Sequence, residues 1–124
     1  MNQMNQTANS KPYDLEERTF LFAKAVALFI KELPSRISNN EYAKQVVRSS
    51  GSVGANYIEA NEALGKKDFA MRIRICRKEA KESAYWLRLI AQVNDDRCAG
   101  DCTRLFHEAV ELKKIFSSIL EKSK

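Results

Sequence analysis

Glycine and proline are scarce in this sequence, which has four Gly and two Pro among 124 residues. An all-β fold needs frequent turn residues, so their scarcity argues against that class. A long apolar segment is also missing. The most apolar run, 20–30, includes Lys24 and is too short to cross a bilayer. We therefore expect a protein that is built from helices and does not enter a membrane.

Few residues of the kinds that build metal or catalytic sites are present. His107 is the only histidine, with Arg104 three positions before it, whereas a helical di-metal site needs Glu-x-x-His pairs. Cys98 and Cys102 lack the further ligands of a zinc site. No nucleophile and base share a recognisable spacing. The odd number of cysteines, three, and the lack of a signal peptide favour reduced thiols in the cytoplasm. The sequence predicts no metal, no cofactor and no enzymatic activity.

What remains is the composition of one soluble domain, with 44% apolar and 30% charged residues. The polar segment 1–12 predicts a disordered N-terminal tail, and 13–122 predicts one helical domain. Helix 1 is expected from Asp14 to Pro34, helix 2 from about Asn40 to Leu64, and helix 3 from an Asp68 cap. A turn is expected over 94–100, with Asp101 capping helix 4.

Each predicted helix carries an apolar stripe with alternating steps of four and three residues, which predicts shallow left-handed packing. Gly51 and Gly54 interrupt helix 2, but its stripe keeps its phase across them, so we expect one continuous helix with a close helix contact. Short connections between long helices favour an all-α, antiparallel up-down-up-down four-helix bundle. The stripes are Leu15, Thr19, Phe22, Val26, Phe29 and Leu33 in helix 1; Ala43, Val47, Ser50, Gly54, Tyr57, Asn61 and Leu64 in helix 2; Phe69, Ile73, Cys76, Ala80, Ser83, Leu87 and Ile90 in helix 3; and Cys102, Leu105, Ala109, Leu112, Phe116 and Ile119 in helix 4.

Helix 1 is apolar on more than its core face. Phe20, Leu21, Ala27 and Leu28 lie off the stripe, and three neighbouring helices of one chain cannot cover all of them. We expect these residues to form a contact between copies of the chain, so that the bundle is a homo-oligomer.

Positive charge concentrates on helix 3. Residues 66–90 hold eight Lys or Arg against three Asp or Glu, an excess equal to the whole chain's net charge of +5. Cations and one aromatic residue recur on the face opposite the core, as in helices that bind phosphates. A solvated face is the alternative. The predicted nucleic-acid-binding residues are Lys67, Arg74, Lys78, Lys81, Tyr85 and Arg88, which we call the basic row, together with Arg77 beside it.

Polar residues also occupy half-buried positions where helices 2 and 3 face each other. A carboxylate beside apolar neighbours needs a partner, and a guanidinium and an amide are available. An interhelical network that fixes the helix register is the favoured interpretation; a paired-carboxylate or metal site is the alternative. We expect Glu82→Ala to destabilise the fold by a few kcal/mol if it leaves Arg48 buried and unpaired. The predicted network comprises Arg48, Asn56, Glu59, Glu79 and Glu82.

These residues carry a resemblance to a known family. The segment 47–60, VRSSGSVGANYIEA, followed by Asp68-Phe69, KEAKE at 78–82 and YWL at 85–87, resembles the four-helix-bundle proteins encoded by intervening sequences of bacterial large-subunit ribosomal RNA genes. Many members have Gly after the helix 2 Glu, where this chain has Ala60. The family signature falls on Arg48, Asn56, Glu59, Phe69, Glu79 and Glu82.

The resemblance implies an antiparallel bundle, a ring-like homo-oligomer, expected to be a pentamer, and no established catalytic activity. The chain is more distantly similar to the accessory variability determinant proteins of diversity-generating retroelements, which bind nucleic acid and a reverse transcriptase. Residues and resemblance together predict a non-enzymatic scaffold that binds RNA or DNA, a protein partner, or both. A purely protein-directed adaptor is the main alternative, and a carboxylate-based metal enzyme is the third.

Overall fold

The computed structural model describes the backbone of residues 13–124, and side chains from residue 15 onward except at 96 and 99. Over this part of the chain the secondary structure is all helical. The predicted tail, 1–12, lies outside the described residues, so the division into a tail and a domain stays a prediction. The helices are α1 (Tyr13–Lys31), α2 (Ile37–Asn61), α3 (Lys66–Val93) and α4 (Asp96–Lys122).

Several helix ends differ from the sequence prediction. The Asp95 side chain accepts a hydrogen bond from the Arg97 backbone N–H at 3.2 Å, so α4 begins at Asp96 and not at Asp101. The segment expected to be a turn is largely the first part of this helix. Helix α3 begins at Lys66 after Gly65, and Asp68 therefore lies in its first turn, where a carboxylate still favours the N-terminal dipole.

The four helices form an antiparallel bundle, as predicted. Helix α1 packs against α2 and α4, α2 packs against α3, and α3 packs against α4. Side-chain contacts confirm the direction of the central pair, because Asn56 meets Arg72 near one end, whereas Asn39 meets Asn94 at the other. None of the helices in the described residues is long and apolar enough to span a membrane.

The predicted stripes of α1, α3 and α4 form the core. In α2, Ser50, Gly54 and Tyr57 of the predicted stripe are buried, but the rest of the buried face lies about one residue before that stripe. Val46, Val53 and Ala60 are buried, whereas Val47 is 44% exposed and Leu64 is fully exposed. Small residues fill much of the α2 stripe, so two neighbouring tracks had similar hydrophobicity in the sequence. Gly51 and Gly54 both lie inside the unbroken helix, as expected.

A neutral pair of amides closes one end of the bundle. Asn39 and Asn94 each donate a side-chain N–H to the other's carbonyl oxygen, with both N···O distances 2.8 Å. Each amide also donates to a backbone carbonyl, Asn39 to Pro34 and Asn94 to Ile90. These bonds join the start of α2 to the end of α3 and satisfy the buried amide of Asn39.

Candidate nucleic-acid interface

Helix α3 presents the basic row to solvent along most of its length. Its core stripe is nearly covered, with Ile73, Cys76 and Leu87 fully buried. The opposite face follows from the same helical repeat, so the residues of the row emerge together. Lys67, Arg74, Lys78, Lys81, Tyr85 and Arg88 are exposed, and Arg77 is half-buried.

The cations of the row have no carboxylate partners among the described residues. Of the acidic residues of α3, Glu79 is buried, and Glu82 forms an ion pair with Arg48 across the α2–α3 boundary. Asp68 is exposed at the beginning of the helix. The described carboxylates of α4 pair elsewhere, as Glu111 does with Lys114 and Glu121 with Lys124. The positive charge of the row is therefore open to an anionic partner.

Two clefts between α3 and α4 border this face. Near the start of α3, Arg74 and Arg77 line a cavity of about 320 Å³ together with Glu121 and Lys124. Near the end of α3, Arg88 lines a second cavity of about 230 Å³. The remaining walls of the second cavity are Ala91, Gln92, Thr103, Phe106 and His107. His107 is exposed there.

Tyr85 is held in place by neighbouring rings. Its ring packs at 75° to Trp86, with centroids 5.1 Å apart, and Trp86 in turn lies 5.8 Å from Tyr42 of α2. Edge-on and tilted arrangements of this kind are the favoured geometries for aromatic pairs. Despite these contacts, Tyr85 is 57% exposed. The row thus includes a fixed aromatic surface between its cations.

The predicted α2–α3 network is present in part. Arg48 lies between the two carboxylates, 3.8 Å from Glu79 and 3.6 Å from Glu82. Asn56 accepts a hydrogen bond from Arg72 at 3.0 Å and donates to the Ser52 carbonyl at 2.9 Å. The network therefore has two parts, one around Arg48 and one around Asn56.

Two expectations for this network are wrong or need revision. Glu59 is exposed and pairs with no described side chain, although it lies three residues after Asn56 on the same side of α2. Arg48 is not buried: 59% of its side chain is exposed, so solvent still reaches the guanidinium. The buried member is Glu79, whose Oε1 has no hydrogen-bond partner within the described residues.

Sequence reasoning also missed contacts at this boundary. The Ser49 and Ser83 hydroxyls form a buried hydrogen bond of 2.8 Å between α2 and α3. Ser83 was on the predicted core stripe, but the rotated stripe of α2 left Ser49 outside it. Arg72, which donates to Asn56, was not among the residues of the predicted network. Another pair, Arg18 of α1 with Glu108 of α4, is bidentate at 2.7 and 2.8 Å and joins residues distant in sequence.

The cysteines do not resemble a reactive or metal-binding site. Burial raises the pKa of the Cys76 and Cys102 thiols to about 12, far from the thiolate form that attacks electrophiles or binds zinc. The Cys102 thiol donates to the Leu87 carbonyl at 2.9 Å, and the Cys76 thiol to the Val53 carbonyl at 3.4 Å. Among the described residues, no three His, Cys, Asp or Glu side chains are grouped to hold a metal.

The residues predicted to mediate oligomer contacts are exposed on α1. Phe20 is 60% exposed, Leu21 49% and Leu28 52%, and Ala27 is also exposed. Such large apolar side chains are unusual in clusters on the surface of a monomer. The helix covers the core with one face and turns a second apolar surface outward.

The sequence matches the family model described as 23S rRNA-intervening sequence protein over residues 11–118. This match covers most of the chain and all but the end of α4. The chain belongs to the 23S rRNA-intervening sequence protein family. The resemblance drawn from the helix 2 and helix 3 segments is thereby confirmed.

A solved structure has the same fold as this 23S rRNA-intervening sequence protein. It is a protein of unknown function from the S23 ribosomal protein family of Bacteroides thetaiotaomicron, with 26% identity and a TM-score of 0.74. The similarity covers 88% of this chain and 96% of the other. No curated protein matches the sequence. The family's description refers to 23S rRNA and an intervening sequence, and it names no ligand or reaction.

Proposed function

We propose that this 23S rRNA-intervening sequence protein is a non-enzymatic, homo-oligomeric scaffold that binds nucleic acid, RNA or DNA, through the basic row of α3. The observation that carries the proposal is a row of exposed cations without carboxylate partners among the described residues. Its free thiols favour a reducing compartment, so we place it in the cytoplasm.

The electrostatic argument rests on phosphate neutralisation. Lys and Arg that contact phosphates release condensed counterions, and this release drives most sequence-independent binding. A cation already paired with a carboxylate would contribute less, because binding would first have to break that pair. Lys78, Lys81 and Arg88 are exposed and free of such pairs with described residues, so each can contribute fully.

Self-association would strengthen this binding. The outward apolar surface of α1 lies on a different helix from the basic row, so protomers can join through α1 while α3 stays open. A closed ring, with five copies as the family resemblance implies, would repeat the row around one axis. Linked sites raise the effective concentration of the second contact, so avidity grows without new residues.

The decisive test combines Lys78→Glu with Lys81→Glu and measures affinity for RNA and DNA at several salt concentrations. Wild-type affinity should fall steeply as salt rises. In a plot of the logarithm of affinity against the logarithm of salt concentration, each phosphate contact should add about 0.7–0.9 to the steepness of the slope. The double variant should bind at least about tenfold more weakly and with a shallower slope, because two phosphate contacts are lost.

A matched control reverses two exposed cations elsewhere, Arg36→Glu with Lys44→Glu at the start of α2. This control changes the net charge equally and should retain most of the binding. Both variants should keep the wild-type mass in light scattering. Salt-insensitive binding, or equal losses in both variants, would contradict the proposed role of the row.

A protein-directed adaptor is the second candidate. It is favoured by the exposed apolar side chains of α1, which would serve a protein partner as well as a second copy. This candidate would become the better account if the wild-type protein bound no nucleic acid at low salt.

A further inference from the structure

The surface around the end of α3 and its cleft with α4, which we call the end of the α3–α4 face, has features that the electrostatic proposal does not use. Tyr85 is the one aromatic residue of the basic row, and more than half of its surface is exposed while its ring packs against Trp86, which in turn packs against Tyr42. Sequence-independent contact with phosphates needs no such ring. A fixed, exposed ring among cations is suited to stacking on a planar, uncharged group.

The nearby cleft offers a second planar surface. Phe106 is half-buried in its wall, and His107 packs against Phe106 at 64° with centroids 5.5 Å apart. Gln92 and Thr103 add amide and hydroxyl groups that can both donate and accept hydrogen bonds. At about 230 Å³, this cleft is smaller than the usual range for drug-sized ligands, so it suits one ring system better than a larger molecule.

Arg88 connects these two features. It lies three residues after Tyr85, which places the two side chains as neighbours on one face of α3, and it also lines the cleft. No described carboxylate pairs with it. Because Arg88 lies between the two planar surfaces, its guanidinium can contact the backbone phosphate that joins two bases bound to those surfaces.

We propose that this end of the α3–α4 face binds unpaired nucleotides: one base stacks on Tyr85, the next enters the cleft beside Phe106 and His107, and Arg88 contacts the phosphate between them. The inference rests on the proposed nucleic-acid function and narrows its ligand to single strands. In a duplex the base faces are stacked on one another, so neither Tyr85 nor the cleft can reach them.

The test compares Tyr85→Ala and Tyr85→Phe by fluorescence anisotropy. The two probes are an oligouridylate of about 15 nucleotides, similar to the longest footprints of single-strand-binding modules, and a blunt-ended RNA duplex with a similar number of phosphates. Wild type should prefer the oligouridylate. Tyr85→Ala should lose at least about fivefold on the single strand and little on the duplex, because only the stack is removed.

Two control variants make the result specific. Tyr85→Phe keeps the ring and should bind like wild type, and Met71→Ala removes another exposed side chain of the same outer face and should have no effect. A third variant tests the cleft: His107→Ala should weaken binding of the single strand only. Circular dichroism confirms that each variant is folded.

The outcomes separate this inference from the proposed function. If wild type binds both probes equally, or Tyr85→Ala weakens both equally or neither, unpaired bases are not the ligand, although the basic row can still bind phosphates. If wild type binds neither probe at low salt, the proposed function fails and this inference with it.

Discussion

At the scale of single residues, Gly54 shows how closely α1 and α2 approach. A Cβ atom built on Gly54 would lie 2.8 Å from Oγ1 and 3.2 Å from Cβ of Thr19. Thr19 cannot readily move, because it is buried and its hydroxyl donates to the carbonyls of Leu15 and Glu16 at 2.9 and 3.0 Å. The small residues of the α2 stripe therefore permit a helix contact that a methyl group would block.

We predict that Gly54→Ala destabilises the protein by about 1–3 kcal/mol, because overpacking outweighs the better helix propensity of Ala. Gly51 is the matched control, since it lies three residues away in the same helix and a Cβ atom added there would meet nothing within 4 Å. Gly51→Ala should stabilise by about 0.5–1 kcal/mol. Urea unfolding of both variants measures the difference, and equal shifts in the two would refute the contact.

Arg48 and Glu82 also differ in how much each stabilises the fold. Glu79 is buried and Arg48 is the cation nearest to it, whereas the Glu82 side chain is 38% exposed and solvent already reaches Arg48. Removing Arg48 leaves a buried carboxylate uncompensated, while removing Glu82 leaves only an exposed guanidinium.

The prediction is that Arg48→Ala lowers the free energy of unfolding by about 1–3 kcal/mol, and Glu82→Ala by less than about 1 kcal/mol. Chemical denaturation of the two variants under identical conditions checks the order. A larger loss in Glu82→Ala would mean that Glu82, and not Glu79, is the carboxylate that needs Arg48.

At the scale of elements, α1 has two apolar surfaces and only one of them faces the core. Phe20 and Leu28 lie on the outward surface, where a second protomer would cover them. The outer faces of α3 and α4 are charged or polar for most of their length, and α2 exposes Val47 and Ile58 but no phenylalanine or leucine within the helix. An assembly contact is therefore best placed on α1.

We predict that Phe20→Glu with Leu28→Glu converts an oligomer to monomers without unfolding the bundle. Charged side chains at the centre of an apolar contact lose their hydration without gaining partners. Leu64→Glu is the control, because Leu64 is fully exposed in the α2–α3 connection. Size-exclusion chromatography with light scattering gives the masses, and a wild-type protein that stays monomeric at high concentration would disprove the contact.

The helices differ in how well their sequences predicted them. In α3 every residue of the expected stripe is buried except Phe69, which is half-buried, because that stripe is strongly apolar. In α4 the N-cap was placed six residues late, at Asp101 and not at Asp95, since Gly100 indicated a turn. Cys98, four residues before Cys102, continued the stripe and could have indicated the earlier start.

At the scale of the whole molecule, periodicity and short connections predicted the bundle and the group of Arg48, Glu79 and Glu82, but not the other side-chain pairs within it. Arg72 with Asn56 and Arg18 with Glu108 depend on the rotation and offset of neighbouring helices. An error of one residue in the α2 stripe was enough to leave the buried Ser49 outside the predicted core. The basic row was predictable because it needs only the repeat of one helix, not the position of another.

The paired amides of Asn39 and Asn94 connect the start of α2 to the end of α3 through hydrogen bonds that involve no charged group, a connection that we call the amide joint. Added salt screens attraction between ions but leaves such a joint almost untouched. Asn94 follows Gln92 by two positions, so the joint anchors the same end of α3 that carries the proposed base cleft. Washing a bound strand away with concentrated electrolyte should therefore leave that cleft intact and ready to be refilled.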